Sequence, residues 1–111
     1  MTNLYAIGPV TGEPNDNRQA FREAFQRLDA AGFYVQMPHD YIPVGTPWPE
    51  AMAKSINVLT DADVDGGLLF DGIALLPGWE QSKGACLEKQ VAEAIGLEAK
   101  TVDEWVEVAN G

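Results

Sequence analysis

Short apolar runs that close on glycine or proline, each followed by an amphipathic stretch, recur along this chain. That alternation restricts it to folds in which strands and helices take turns. Leu4-Tyr5-Ala6-Ile7 ends at Gly8-Pro9 and reads as a buried first strand. Phe33 to Met37 is a second, broken by Pro38, and Gly72 to Leu76 is a third, ending at Pro77-Gly78. A last short strand is expected near Ala99-Lys100. Strands alternating with helices imply a parallel sheet covered on both faces. The expected architecture is therefore α/β: a three-layer, Rossmann/flavodoxin-like fold with a small parallel sheet of four to five strands.

The helices follow from spacing. Phe21, Ala24, Phe25, Leu28 and Ala31 recur at three and four, with Arg18, Arg22, Glu23 and Arg27 outside. Asn15, Asp16 or Asn17 can cap this helix, and Gly32 stops it. Trp48, Met52, Ile56 and Leu59 give a second stripe, and Thr101 to Glu104 fits a capping box before a final helix carrying Val102, Trp105, Val106 and Val108. The segment Asp61 to Asp71 is read either as a short helix or as turns, since Gly66-Gly67 would weaken a helix by roughly 1 kcal/mol each relative to alanine. At 111 residues the chain makes one domain.

A formal charge of −10 argues against nucleic acid, membrane surfaces or other polyanions as bulk partners. A small anion remains open if local amides or a few cations capture it. No stretch is apolar enough to span a bilayer and no basic-apolar leader is evident, so the expected location is cytoplasmic. The single cysteine, Cys86, excludes an internal disulfide framework and a cysteine-rich zinc site. The carboxylates lack calcium-loop spacing, and neither a metal nor a cofactor is implied.

One residue breaks the pattern. On a helix from about Gly84 to Ile95, the apolar face is Ala85, Val91, Ala92 and Ile95, and Glu88 falls in its middle. A helical side chain leans back over the preceding turn, here Gly84 and Ala85, which have almost no side chain to fill the space above. A carboxylate buried under open space is a candidate site. Its bland rival is a rim residue bonded to loop amides. In parallel sheets ligands lie beyond the carboxyl ends of the strands, at the switch in strand order. Two Gly/Pro-rich loops fall there, Gly8 to Pro14 and Pro77 to Ser82. Ser82 and Gly84 can present a hydroxyl and backbone N–H groups to an anion, although serine is also a common helix cap. Neither a P-loop nor a full dinucleotide fingerprint is present, so the ligand expected is small, about the size of a mononucleotide.

Tyr5 to Gly12, Asn17 to Phe21, Trp48 to Met52 and Leu75 to Glu88 together resemble the small phage and bacterial proteins of the DUF4406 family. These are similar in turn to nucleoside 2-deoxyribosyltransferases and 2'-deoxynucleoside 5'-monophosphate N-glycosidases. The resemblance covers almost the whole chain, and the run Leu-Pro-Gly-Trp-Glu-x-Ser-x-Gly-Ala-x-x-Glu is its most specific part. It implies Glu88 as nucleophile and Asp63, eight residues before Asp71, as proton donor. Asp61 and Asp65 are equally acidic neighbours. Ser82, six residues before the nucleophile, would touch the sugar 5' end. Tyr5 and the loop Gly8, Pro9, Val10, Thr11 and Gly12 would lie along the nucleotide. An arginine of the monophosphate hydrolases is matched here by Thr11, leaving Arg18 or Lys83 to supply a cation. A homo-oligomer, dimer or higher, completed by a C-terminal residue such as Asn110 of a neighbouring copy, is implied in the same way.

The chemistry fits these residue types. Cleaving an N-glycosidic bond develops positive charge at C1', which a carboxylate beneath the ring stabilises or captures covalently, while a second carboxyl group assists the departing base. The implied activity is hydrolysis or deoxyribosyl transfer on a 2'-deoxynucleoside 5'-monophosphate or deoxynucleoside. Ser82 in place of an aspartate favours the monophosphate. The rival class is a non-catalytic, phage-type acidic protein that sequesters a nucleotide or binds a host protein. Tyr5 has a core reading too. Trp48 and Trp79 are read as packing anchors or base-stacking surfaces, and the lone His39 as structural or solvated.

Overall fold

In the computed structural model, which describes residues 2–111, the three apolar runs and the segment around Ala99-Lys100 form four parallel strands separated by helices. The order is β1 (Asn3–Ile7), α1 (Arg18–Ala30), β2 (Tyr34–Gln36), α2 (Trp48–Leu59), β3 (Gly72–Leu75), α3 (Lys83–Ala94), β4 (Glu98–Thr101) and α4 (Val102–Asn110). Spatially the sheet runs β2-β1-β3-β4. Leu4 lies opposite Gly72, Ile7 opposite Leu75, and Gly72 in turn opposite Glu98.

Side chains alternate across β1, which divides the core into two layers. Leu4 and Ala6 pack with Phe21, Ala24 and Leu28 of α1 and with Val102 and Trp105 of α4. Tyr5 and Ile7 face the other way, onto Leu59 of α2 and Ala85 and Ala92 of α3. The result is the three-layer Rossmann/flavodoxin-like arrangement expected. Phe25, Ile95 and Val108, placed on apolar stripes by spacing, are exposed at the margins of their helices. Gly72 is required where β3 passes β4. A Cβ there would lie 2.7 Å from the Glu98 carbonyl oxygen and 2.8 Å from the Trp105 ring. Trp105 also donates its indole N–H to the Ile73 carbonyl at 2.8 Å, tying α4 to the sheet.

The structure decides one reading that the sequence leaves open and departs from two others. Asp61 to Asp71 forms turns and no helix. An isolated antiparallel bridge joins Ala62 and Leu68, and Asp63 accepts from the N–H groups of Asp65 and Gly67 at 2.9 and 3.0 Å. No side chain caps α1, since Asn15, Asp16 and Asn17 all take left-handed φ of 51°, 54° and 58°. Asn and Asp tolerate that region best after glycine. Asn17 instead donates to the Pro9 carbonyl at 2.9 Å, which pins the loop after β1 to the start of α1. The buried face of α2 is made by Ser55 and Leu59, with Ile56 only partly covered. The capping box does form: Glu104 N–H donates to the Thr101 hydroxyl, and Thr101 N–H to the Glu104 carboxylate.

Candidate functional site

The strand order reverses between β1 and β3, and the loops leaving those two strands diverge there. Gly8 allows their close approach, because a Cβ at that position would lie 2.8 Å from the Leu76 Cβ. Beyond the strands opens a cavity of about 840 Å³, within the usual range for small-molecule sites. Its walls are the loop Gly8 to Glu13, the start of α1, the proline-rich segment Pro38 to Trp48, and the first turns of α2 and α3.

Glu88 lines this cavity and is only 5% exposed. It shares the inward face of α3 with Ala85 and Ala92, so its neighbours along the helix are hydrocarbon. One carboxylate oxygen, Oε2, accepts a short hydrogen bond from the Ser55 hydroxyl. Ser55 is also buried, and its oxygen lies 2.8 Å from the Tyr5 hydroxyl. With its one hydrogen given to the carboxylate, Ser55 receives from Tyr5, so the two hydroxyls form a chain pointed at Glu88. Oε1 takes no hydrogen bond from the described residues and is not sealed in the core, which leaves it to the cavity. Burial pushes the Glu88 carboxyl up to about 7, and the bond from Ser55 offsets part of that rise. Burial likewise raises the Tyr5 phenol well above its ordinary value, which keeps it a donor.

The chain is a DUF4406 protein. That family, described as a domain of unknown function, matches residues 2–101, so the match spans all four strands and stops where α4 begins. No curated protein matches the chain.

Of the residues singled out in sequence, Gly8, Pro9, Val10, Thr11, Gly12, Ser82, Gly84 and Glu88 line this DUF4406 cavity together. Ser82 caps α3, its oxygen accepting from Ala85 N–H at 3.2 Å. The N–H groups of Lys83 and Gly84 have no partner among the described residues, and neither do those of Val10, Thr11 and Gly12. Lys83 lines the cavity with its ammonium 4.9 Å from the centre of the Trp48 ring, whereas Arg18 is not part of the lining. One Trp48 face is therefore occupied. Trp79 lies outside the cavity, packed on the core with Lys89 above it.

Two expected residues are elsewhere. Tyr5 is fully buried behind Glu88 and touches the site only through Ser55. Asp63 does not line the cavity: it borders a separate depression with Asn3 and Asp71 at the amino ends of β1 and β3. The reason is topological. Asp63 precedes β3 whereas Glu88 follows it, and the turns at 61–69 fold back on themselves, Leu69 N–H bonding Asp61 O, without reaching over the sheet.

Ser55 was missed. Its signal was present as a polar residue between Met52 and Leu59 on an apolar stripe, the same violation that marked Glu88. His39 also lines the cavity. It gives its Nε2 hydrogen to the Asp16 carbonyl at 2.8 Å and packs on Phe21, with ring centres 4.6 Å apart. No cluster of three or more His, Cys, Asp or Glu suited to a metal occurs among the described residues. No helix among them is long and apolar enough to cross a membrane.

Proposed function

We propose that this DUF4406 protein cleaves the N-glycosidic bond of a 2'-deoxynucleoside 5'-monophosphate, or of the deoxynucleoside, by hydrolysis or transfer. The observation that carries this reading is the state of Glu88: buried, held by one oxygen, and with the other open to a cavity of mononucleotide scale. In the reaction Oε1 bonds to, or pairs with, C1' as the C1'–N bond breaks. Water or a second base then takes the sugar, releasing the carboxylate. A carboxyl balanced near neutrality supplies the ionised nucleophile to a substantial fraction of molecules at pH 7.

The departing base needs a proton, and Asp63 lies too far round the sheet to give it. Besides Glu88, the carboxyl groups lining the cavity are Glu13, which is exposed, and Asp16, which is half-buried. Asp16 takes the proton-donor role. The 5'-phosphate is assigned to the free N–H groups of Lys83 and Gly84, with the Lys83 ammonium and the helix N-terminus adding positive potential. A homo-oligomer in which a neighbouring C-terminus completes the site belongs to the same reading. Sedimentation of the purified protein tests it.

The activity is tested by incubating the protein with each deoxynucleoside monophosphate and each deoxynucleoside, and measuring free base by chromatography. Base release that disappears in Glu88→Ala supports the proposal. Tight nucleotide retention without turnover replaces it with sequestration, and absence of both refutes a nucleotide site.

A further inference from the structure

The hydroxyl pair behind Glu88 does more than fill space. A buried serine in the middle of a helix usually returns its hydrogen to a backbone carbonyl one turn earlier. Ser55 instead gives its hydrogen to a side chain 33 residues away, and takes a second bond from a tyrosine 50 residues away on β1. Three separate elements, β1, α2 and α3, are thus joined by one chain of hydrogen bonds that ends on a Glu88 carboxylate oxygen. Close contact between the two helices is allowed by Gly84, where a Cβ would lie 2.9 Å from the Met52 sulfur.

We propose that Ser55 is the positioning residue of Glu88, its hydroxyl fixing Oε2 with Tyr5 behind it so that Oε1 is the oxygen presented to the cavity. The consequence for catalysis rests on the function proposed above, but the geometric claim does not. Without this bond the carboxyl group is free to rotate about its last torsion. It also loses its one hydrogen-bond donor, and a donor to the charged form favours that form. Ser55 therefore fixes the direction of the nucleophile and lowers the pH at which it ionises, against the larger upward effect of burial. The groups facing Glu88 are few. Tyr5 comes from β1, Ser55 from α2, and Ala85 and Ala92 from its own helix. Lys83, Glu13, Asp16 and His39 lie on the cavity walls, and none of these is altered by changing Ser55.

The test is a carbon-13 NMR titration of the Glu88 carboxyl in the wild type, Ser55→Ala and Ser55→Thr, with pH profiles of base release alongside. In Ser55→Ala the Glu88 midpoint moves upward by roughly one to two pH units. Turnover at pH 7 then falls roughly tenfold and recovers at higher pH, with KM little changed. Ser55→Thr keeps the hydroxyl and returns the midpoint towards that of the wild type. Ser55→Ala leaves the Tyr5 hydroxyl without its acceptor. If that variant does not fold, the double variant Tyr5→Phe/Ser55→Ala removes both groups and carries the same expected shift. A Glu88 midpoint that stays in place or moves down without the Ser55 hydroxyl overturns the proposal. The titration needs no substrate, so a protein inactive on every nucleotide refutes the glycosidic function while the role of Ser55 is still decided by NMR.

Discussion

Replacing Glu88 with glutamine should make the protein more stable, and increasingly so as the pH rises. In the unfolded chain the carboxyl ionises at its ordinary 4.5, whereas in the folded protein burial lifts it to about 7. Between those values the folded form keeps a proton that the unfolded form has released. Stability from this group is therefore fully present below pH 4.5 and is lost as the pH rises through 7. At about 1.4 kcal/mol per tenfold, the rise corresponds to about 3 kcal/mol above pH 7. The carboxyl is almost completely buried, so solvent screens little of this. Glutamine has nearly the same shape, cannot ionise, and still accepts from Ser55 through its carbonyl oxygen. Urea unfolding of wild type and Glu88→Gln across pH 4.5 to 8 should show a stability difference that grows by about 3 kcal/mol, or roughly 2 M in midpoint for a domain of this size. A difference that stays flat with pH would refute the claim that folding desolvates an ionisable carboxylate.

Other consequences concern the frame around the site. Asp63→Asn keeps an acceptor oxygen for the turn at 63–67 and should leave base release within about twofold of wild type, as measured by initial rates. Gly72→Ala forces a methyl group against the Glu98 carbonyl and the Trp105 ring and should destabilise the fold by about 1–3 kcal/mol in urea. Thr101→Ala removes half of the capping box and should lower stability by about 1 kcal/mol, loosening α4 in hydrogen exchange.

Much of the fold could be read from local patterns because its parts are locally consistent. Three apolar runs and the short segment around Ala99-Lys100 form the four strands, and Thr101-Val102-Asp103-Glu104 writes its own helix start. Glu88 was legible for the same reason, since a carboxylate on an apolar face violates a periodicity that can be counted. What could not be read depends on contacts distant in sequence. Asp63 sits eight residues before Asp71 in the chain, yet only the turns at 61–69 decide which end of the sheet it occupies. The left-handed run Asn15 to Asn17 is held by bonds reaching Pro9 and His39. Ser55 breaks an apolar stripe as Glu88 does, but its partner is fixed only when α3 is laid beside α2, and of the two readings of Tyr5 the contact with Ser55 selects the core one.

If Glu88 is the nucleophile, its free oxygen is aimed at the anomeric carbon of a bound nucleotide. A crystal structure of Glu88→Gln with a deoxynucleoside monophosphate measures this most directly. The nucleotide should lie in the cavity between the β1 and β3 loops, with C1' about 3–3.5 Å from the side-chain atom that replaces Oε1. A nucleotide bound with C1' turned away from residue 88, or bound outside this cavity, would contradict it.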